Sequence, residues 1–537
     1  MKNLPSTPHQ PLILSLSKDG ERFSALVIFV VTLALLMLGS RTQGNVRDEG
    51  YYFEAAEQYW SYYGDLGENI LHHHPARSFT RAAIDRGFSN NHEHPALMKT
   101  LFGVSWRVFH RAFGLLSEEA ALRLPTQISV ALMVMLIFLL ATEWWSMAAG
   151  FVAAGLTLFA PRLFFDAQLA TFDAPIAALW VATVYSYYRS LSDRRWGWRT
   201  GVIFGLALAT KHNAFFIPVI LLGHYGWTFR QNLRRVPHAF LWMALLSPLV
   251  YLACWPWLWF DTVARFAEYA AFHLHHVYYN MEYFGTNYNK PPFPLSFPYV
   301  MTLLTVPVTT LALALTGAVR ARFRSESSPM LLIVLNAIFP MAIITLTRAP
   351  IFGATKHWHA AIPFLALLAA GGFQALVAAL PKKKFAAAFA ALCILPAAAE
   401  TFHSHPYGLS HYNLLAGGPQ GAATLGMNRQ FWGYASRGLL PFINQHAPPH
   451  APIYFHDTNQ SQLNIYVRQH LLRRDITNTP LEEPGVQRSN LGLVIHEKHF
   501  NKYEYWFWDF YGTTQPTKVL TYDGVPIVTL YERPKAK

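Results

Sequence analysis

The sequence predicts a polytopic α-helical membrane protein with about eleven transmembrane helices and a C-terminal extracytoplasmic α/β domain. Three observations predict it. Hydrophobic residues make up 53% of the 537 and charged residues 14%, too apolar a balance for a soluble chain of this length. Apolar runs able to cross or nearly cross a bilayer recur at 23–40, 124–142, 146–162, 174–190, 200–210, 213–229, 238–258, 297–319, 328–347, 359–380 and 385–399. The composition then changes near residue 400, beyond which short strand-like runs replace the long apolar ones.

The first run follows a polar start holding Lys2, Lys18 and Arg22. It is too long for a signal peptide, and no small-x-small cleavage site closes it. With residues 1–22 placed in the cytosol, the inward loops carry Asp193-Arg194-Arg195 with Arg199, then Arg230 to Arg235, Arg320 to Arg324 and Lys382-Lys383-Lys384. Every strongly basic short loop thus falls inside, so count and orientation support each other. The net charge of +13 is explained by these clusters, and no nucleic-acid partner is expected. Cys254 and Cys393 are the only cysteines, both in apolar segments, which indicates neither a disulfide framework nor a thiolate metal site.

Three stretches fall outside on this topology: 41–121, 259–296 and the tail from 401. The first is too broken to span, and its amphipathic piece 97–116 suits the membrane interface. The second is rich in His and Tyr. The tail offers strand-like runs at 453–456 and 491–496, and a closing hairpin at 519–522 and 527–531 around Asp523-Gly524. No internal repeat and no Gly-rich phosphate loop is present.

Asp48-Glu49, just past the first run, is the leading candidate for chemistry. Such a pair also suits a helix start. A second acidic element, with Asp166 and Asp173, falls in the next outward loop, and acids converging beside a bilayer are costly and usually functional. Asp173 could alternatively cap the helix that opens at Pro175. Lys211 lies between two apolar runs that share only the thirty residues 200–229, whereas two full crossings need ~40. Its hairpin tip should therefore sit below the outer interface, within reach of a lipid phosphate, although a lysine snorkelling from a helix end is the plainer account. Arg348, Lys356 and His357 lie on the same outer side and could add phosphate contacts. Histidine clusters at 72–74, 92–94, 273–276 and 357–359 show no specific ligand spacing, so a divalent metal stays an open option rather than an indicated one.

The order of an Asp-Glu pair after span one, His94-Pro95-Ala96-Leu97, Asp173-Ala174-Pro175 and Thr210-Lys211 resembles glycosyltransferase family 39. That family includes the protein O-mannosyltransferases and the bacterial lipid A aminoarabinose transferase, and its fold is called GT-C. The resemblance covers roughly 20–400. It implies a catalytic membrane part at 23–400, a first periplasmic loop at 41–121 and a periplasmic α/β domain at 401–537, in a bacterial inner membrane. It further implies transfer of a sugar from a polyprenyl-phosphate donor to a lipid, glycan or protein acceptor, usually with inversion. Carried over by motif, Asp48 would be the general base, and Glu49 would shape its surroundings or, with His92 and His94, help to hold a metal. Lys211, with Arg348 and Lys356, would bind the donor phosphate. Asp173 would orient acceptor or sugar, and His94, Lys99, Asp166 and His357 would contact substrate. One departure stands out. Aminoarabinose transferases carry a Lys before a Pro-Pro-Leu element, whereas this chain has His94 and a single Pro95, with Lys99 four residues beyond. The competing reading is a transporter or flippase of a lipid-linked sugar, a class that usually shows repeated halves.

Overall fold

The computed structural model describes residues 18–231, 236–321, 329–346, 351–379, 383–497 and 501–534. Arg348 lies outside the described residues, as do Arg234, Arg235, Arg322, Arg324 and Lys382 of the basic clusters.

Each of the eleven apolar runs is helical over most of its length. The helices are α1 (Lys18–Ser40), α2 (Arg47–Leu71), α3 (Arg81–Phe88), α4 (Leu97–Ser105), α5 (Glu118–Trp144), α6 (Met147–Leu158), α7 (Pro161–Asp166), α8 (Asp173–Ser190) and α9 (Trp196–Leu208). There follow α10 (Ile217–Thr228), α11 (His238–Cys254), α12 (Thr262–Leu274), α13 (Phe297–Thr305), α14 (Val308–Val319), α15 (Met330–Leu346), α16 (Ile362–Ala379) and α17 (Ala386–Ser404). Among the described residues, four helices are long and apolar enough to cross a membrane by themselves. Helix length alone therefore gives fewer crossings than the eleven apolar runs suggest. The run 297–319 differs most from expectation: α13 and α14 meet at a 119° bend. Pro307 lies at the break, where it cannot donate a backbone N–H and biases Val306 towards extended backbone.

Within the bundle, α14 packs on α16 at very close range. A Cβ on Gly317 would fall 2.0 Å from the Leu368 carbonyl oxygen, and one on Gly372 would fall 2.0 Å from that of Leu313. Only glycine permits this approach, the small-residue packing expected where lipid supplies no hydrophobic drive between helices.

The loop 41–121 holds α2, α3 and α4, then a short π-helical turn from Trp106 to Ala112. After α12 comes a small hairpin, β1 (Met281–Tyr283) with β2 (Thr286–Tyr288). The tail builds a five-stranded sheet in the order β4-β3-β5-β7-β6, with β3 (Pro452–Phe455), β4 (Thr477–Asn478), β5 (Leu491–Ile495), β6 (Lys518–Tyr522) and β7 (Val525–Glu532). Strand β3 runs parallel to β4 and β5, and β7 is antiparallel to both its neighbours. The β6–β7 turn has φ of 48° at Asp523 and 75° at Gly524, which suits the Asp-Gly pair of a two-residue hairpin turn. The sheet's core takes in Val46, Phe165 and Leu169 from the helical part. That shared packing fixes the tail against the start of α2, where the site lies.

Candidate active site

The start of α2 is held by a network of buried charge. Arg123, fully buried on α5, donates from Nε to Glu49 Oε1 and from Nη2 to Glu49 Oε2, both at 2.8 Å. It also donates to the Ser40 carbonyl at 3.1 Å, the Gln43 carbonyl at 3.3 Å and Asn45 Oδ1 at 2.7 Å. The two oxygens of Glu49 further accept the backbone N–H of Ala170 at 2.8 Å and of Val46 at 3.1 Å. Glu49 therefore ties α2 to the loop before α8 and lines neither cavity described below. It is a positioning residue rather than a group open to substrate or metal.

Its neighbour Asp48 points the other way. The carboxylate is partly open, 3.9 Å from Arg47 Nε and 3.8 Å from Lys356 Nζ. It lines two cavities, of about 340 and 450 Å³. Tyr52, His94 and Lys356 belong to both walls as well. Tyr52 stacks on Phe172 at 4.1 Å, so the two outward acidic loops do meet here.

The first cavity has a charged end and an apolar end. Asp48, Asp173, Lys211 and Lys356 supply the first, while Ile176 and Trp180 of α8 and Pro340, Ile343 and Ile344 of α15 supply the second. Lys211 Nζ donates to Asp173 Oδ1 at 2.6 Å. Burial alone would push the Asp173 carboxyl up, but Lys211 beside it, with Lys356, outweighs this and holds it at about 2. Asp173 is thus ionised at any physiological pH, and among the described residues Lys211 Nζ makes no second hydrogen bond, leaving donor capacity for a ligand. Lys356 Nζ sits 4.0 Å over the Trp432 ring, a cation held by an aromatic face.

Imidazoles occupy the space between. His357 Nε2 bonds the Phe352 carbonyl at 2.6 Å, and its ring lines the first cavity. Asp166 lines neither cavity; it pairs with His359 Nε2 and so orients a ring that does. Burial, with Lys99 and His273 nearby, drives His94 well below its ordinary pKa, and its ring packs edge-on against Tyr52, Phe172 and Phe272.

Lys99 also lies outside both cavities. Fully buried, its Nζ donates to the carbonyls of Asn91 and His94, the latter at 2.9 Å, and to Asn91 Oδ1 at 3.2 Å. Burial pulls its pKa down to about 7, yet three acceptors match the three N–H bonds of an ammonium. It shapes the loop that presents Glu93 and His94. Lys99→Met is expected to leave two buried carbonyls without a donor, costing about 1–3 kcal/mol. Hydrogen exchange at residues 91–94 should accelerate, and unchanged exchange there would remove this role.

Glu49, His92 and His94 are not assembled as a metal site. His92 Nδ1 is engaged with the Ser89 carbonyl at 2.8 Å, and the lone pairs of Glu49 face Arg123 and backbone amides. Among the described residues no group of three or more His, Cys, Asp or Glu is placed to hold a metal ion.

Several site residues were not singled out from the sequence. Arg47 donates to Asp457 Oδ1 at 2.6 Å, across 410 residues, and its adjacency to the acidic pair was the only hint. Arg123 had a stronger signal, a lone arginine opening an apolar span. Trp432, Asp457 and Glu497 gave none.

Residues 100–259 match the family model of dolichyl-phosphate-mannose-protein mannosyltransferases. Among solved structures, ArnT from Cupriavidus metallidurans bound to undecaprenyl phosphate is similar at a TM-score of 0.51 and 17% identity, covering 96% of this chain and 98% of that one. The apo form of the same ArnT gives 0.52 and 16%, covering 95% and 98%. No curated protein matches the sequence significantly. The chain is therefore a membrane protein of the GT-C fold. Of the four short motifs behind the resemblance to glycosyltransferase family 39, Asp173-Ala174-Pro175 and Thr210-Lys211 fall within the residues that the family model matches.

Proposed function

We propose that the protein is an integral membrane glycosyltransferase that moves a sugar from a polyprenyl phosphate to an acceptor on the periplasmic side of a bacterial inner membrane. The observation that carries this reading is the position of Asp48 in the wall between two cavities, one of them cationic at its near end and apolar at its far end. A lipid phosphate matches that first cavity, with the isoprenoid along α8 and α15 and the phosphate by Lys211 and Lys356. An acceptor matches the second.

In this arrangement Asp48 takes the proton of the acceptor hydroxyl as its oxygen attacks the anomeric carbon. The bond from that carbon to the phosphate oxygen breaks, and its electron pair stays on the phosphate. Lys211 and Lys356 offset the charge that gathers there. Attack and departure from opposite cavities give inversion at the anomeric carbon. Asp173 holds Lys211 in place rather than touching the acceptor.

The test is reconstitution of the full chain in liposomes with a panel of undecaprenyl-phosphate-linked, radiolabelled hexoses and pentoses, plus a bacterial envelope fraction. Label should pass to a water- or envelope-borne product, with one undecaprenyl phosphate released per sugar moved. Labelled lipid that changes leaflet without releasing its carrier would overturn the reading in favour of a flippase.

A further inference from the structure

The second cavity says more about the acceptor than the first does about the sugar. Its outer wall is built by the tail, through Phe431, Trp432, Asp457, Glu497 and Tyr503, and its inner wall by α2 and the segment after α12. At about 450 Å³ it has the dimensions of a small-molecule site. Three features narrow what it could hold.

First, its two described cations are both engaged. Arg47 is bonded to Asp457 at 2.6 Å, and Lys356 lies beside Asp48 and over Trp432. Against them stand four carboxylates among the described lining residues, Asp48, Glu93, Asp457 and Glu497. A phosphate or carboxylate entering here would meet these acids, with Arg47 paired to Asp457 and Lys356 shared with the donor phosphate of the first cavity.

Second, aromatic faces are exposed along it. Tyr51 and Tyr279 are 49% and 44% exposed, and the Arg47 guanidinium lies 5.6 Å over the Tyr279 ring, holding that ring at the mouth. Such faces suit the C–H surfaces of a pyranose. Third, Asn280 Oδ1 in the same wall is buried without a hydrogen-bond partner among the described residues. It offers an acceptor to a ligand, and hydroxyl groups donate.

Resting on the transferase reading, we infer that the acceptor is an uncharged or amino-bearing glycan, and that the tail forms half of its binding cleft. The reacting hydroxyl belongs to a sugar ring stacked near Tyr279, with Asp48 beneath it.

The experiment is saturation-transfer NMR on the full chain in lipid nanodiscs. The probes are maltotriose and chitotriose, a bis-phosphorylated glucosamine disaccharide, and a Ser/Thr-rich nonapeptide. A neutral trisaccharide should bind the wild type, lose about tenfold in affinity in Tyr279→Ala and recover in Tyr279→Phe, the effect of one ring contact. Asp457→Asn should raise affinity for the phosphorylated disaccharide, because it releases Arg47. Preferential binding of the phosphorylated disaccharide or of the peptide by the wild type would overturn the inference, as would no binding of either trisaccharide. Undecaprenyl phosphate is titrated into the same nanodiscs. If it binds while neither trisaccharide does, this inference fails alone; if nothing binds, the transferase reading fails with it.

Discussion

Asp48→Asn is expected to lower the rate of sugar transfer by about 10²–10⁴-fold, the usual weight of a general base, with the protein still folded. Among the described residues the side chain makes no short hydrogen bond; its charged neighbours stand 3.8 and 3.9 Å away. An amide of the same shape therefore disturbs little but cannot accept the acceptor's proton. Donor binding should hold or strengthen, since Lys356 loses a counter-charge and turns more fully to the phosphate. The check is single-turnover transfer from an undecaprenyl-phosphate sugar, with the affinity for undecaprenyl phosphate measured on the same sample. Transfer at the wild-type rate by Asp48→Asn would place the base elsewhere. Glu49→Gln makes the natural contrast. It loses charge from a residue with four hydrogen bonds, so its effect should appear first as a loss of folded protein.

That contrast marks where sequence reasoning stopped. The Asp-Glu pair, its place after the first span and its convergence with the loop at 166–173 were legible, because apolar runs and basic loops fix which segments share a side of the membrane. The thirty-residue hairpin likewise placed Lys211 near the acids, where it bonds Asp173. Which carboxylate of the pair faced the cavity was not legible from spacing; only the resemblance set Asp48 as the base and Glu49 as a residue shaping its surroundings. Adjacent helical residues point about 100° apart, and only the position of Arg123, 74 residues on, decides that Glu49 turns inward and Asp48 outward. Lys99 differs for a related reason: the resemblance set it as a substrate contact, whereas its length lets it reach back and bind its own loop. The tail's share of the site was silent altogether. Arg47–Asp457 and Lys356–Trp432 join residues with no common periodicity, and no local pattern announces such pairs. The run 297–319 was read as one span from its apolar length, and the chain bends at Pro307 within it.

Arg123→Met should be the most destabilising single change in the site. The arginine is the cation of a buried cluster, bonded to Glu49 and 2.8 Å from Glu119 Oε1, and it also holds the carbonyls of the 40–44 strap. Methionine fills similar space yet leaves the Glu49 carboxylate without a counter-charge and Glu119 with Arg437 alone, 3.7 Å away. Removing one partner of a buried pair costs about 3–5 kcal/mol, more than the intact pair contributes, because the stranded charge stays desolvated. Thermal unfolding of the purified protein in detergent reads the loss, and a melting profile equal to wild type would refute the network's role. The double variant Arg123→Met with Glu49→Gln separates charge from packing. If the stranded Glu49 carboxylate is the source, neutralising it returns part of the lost stability, although Glu49→Gln alone is harmful. Activity should remain depressed in the double variant beyond its folded fraction. Asp48 sits one residue from Glu49, and a general base displaced by about 1 Å loses on the order of 10²-fold in rate. The buried guanidinium therefore acts on the chemistry through the helix start that it clamps.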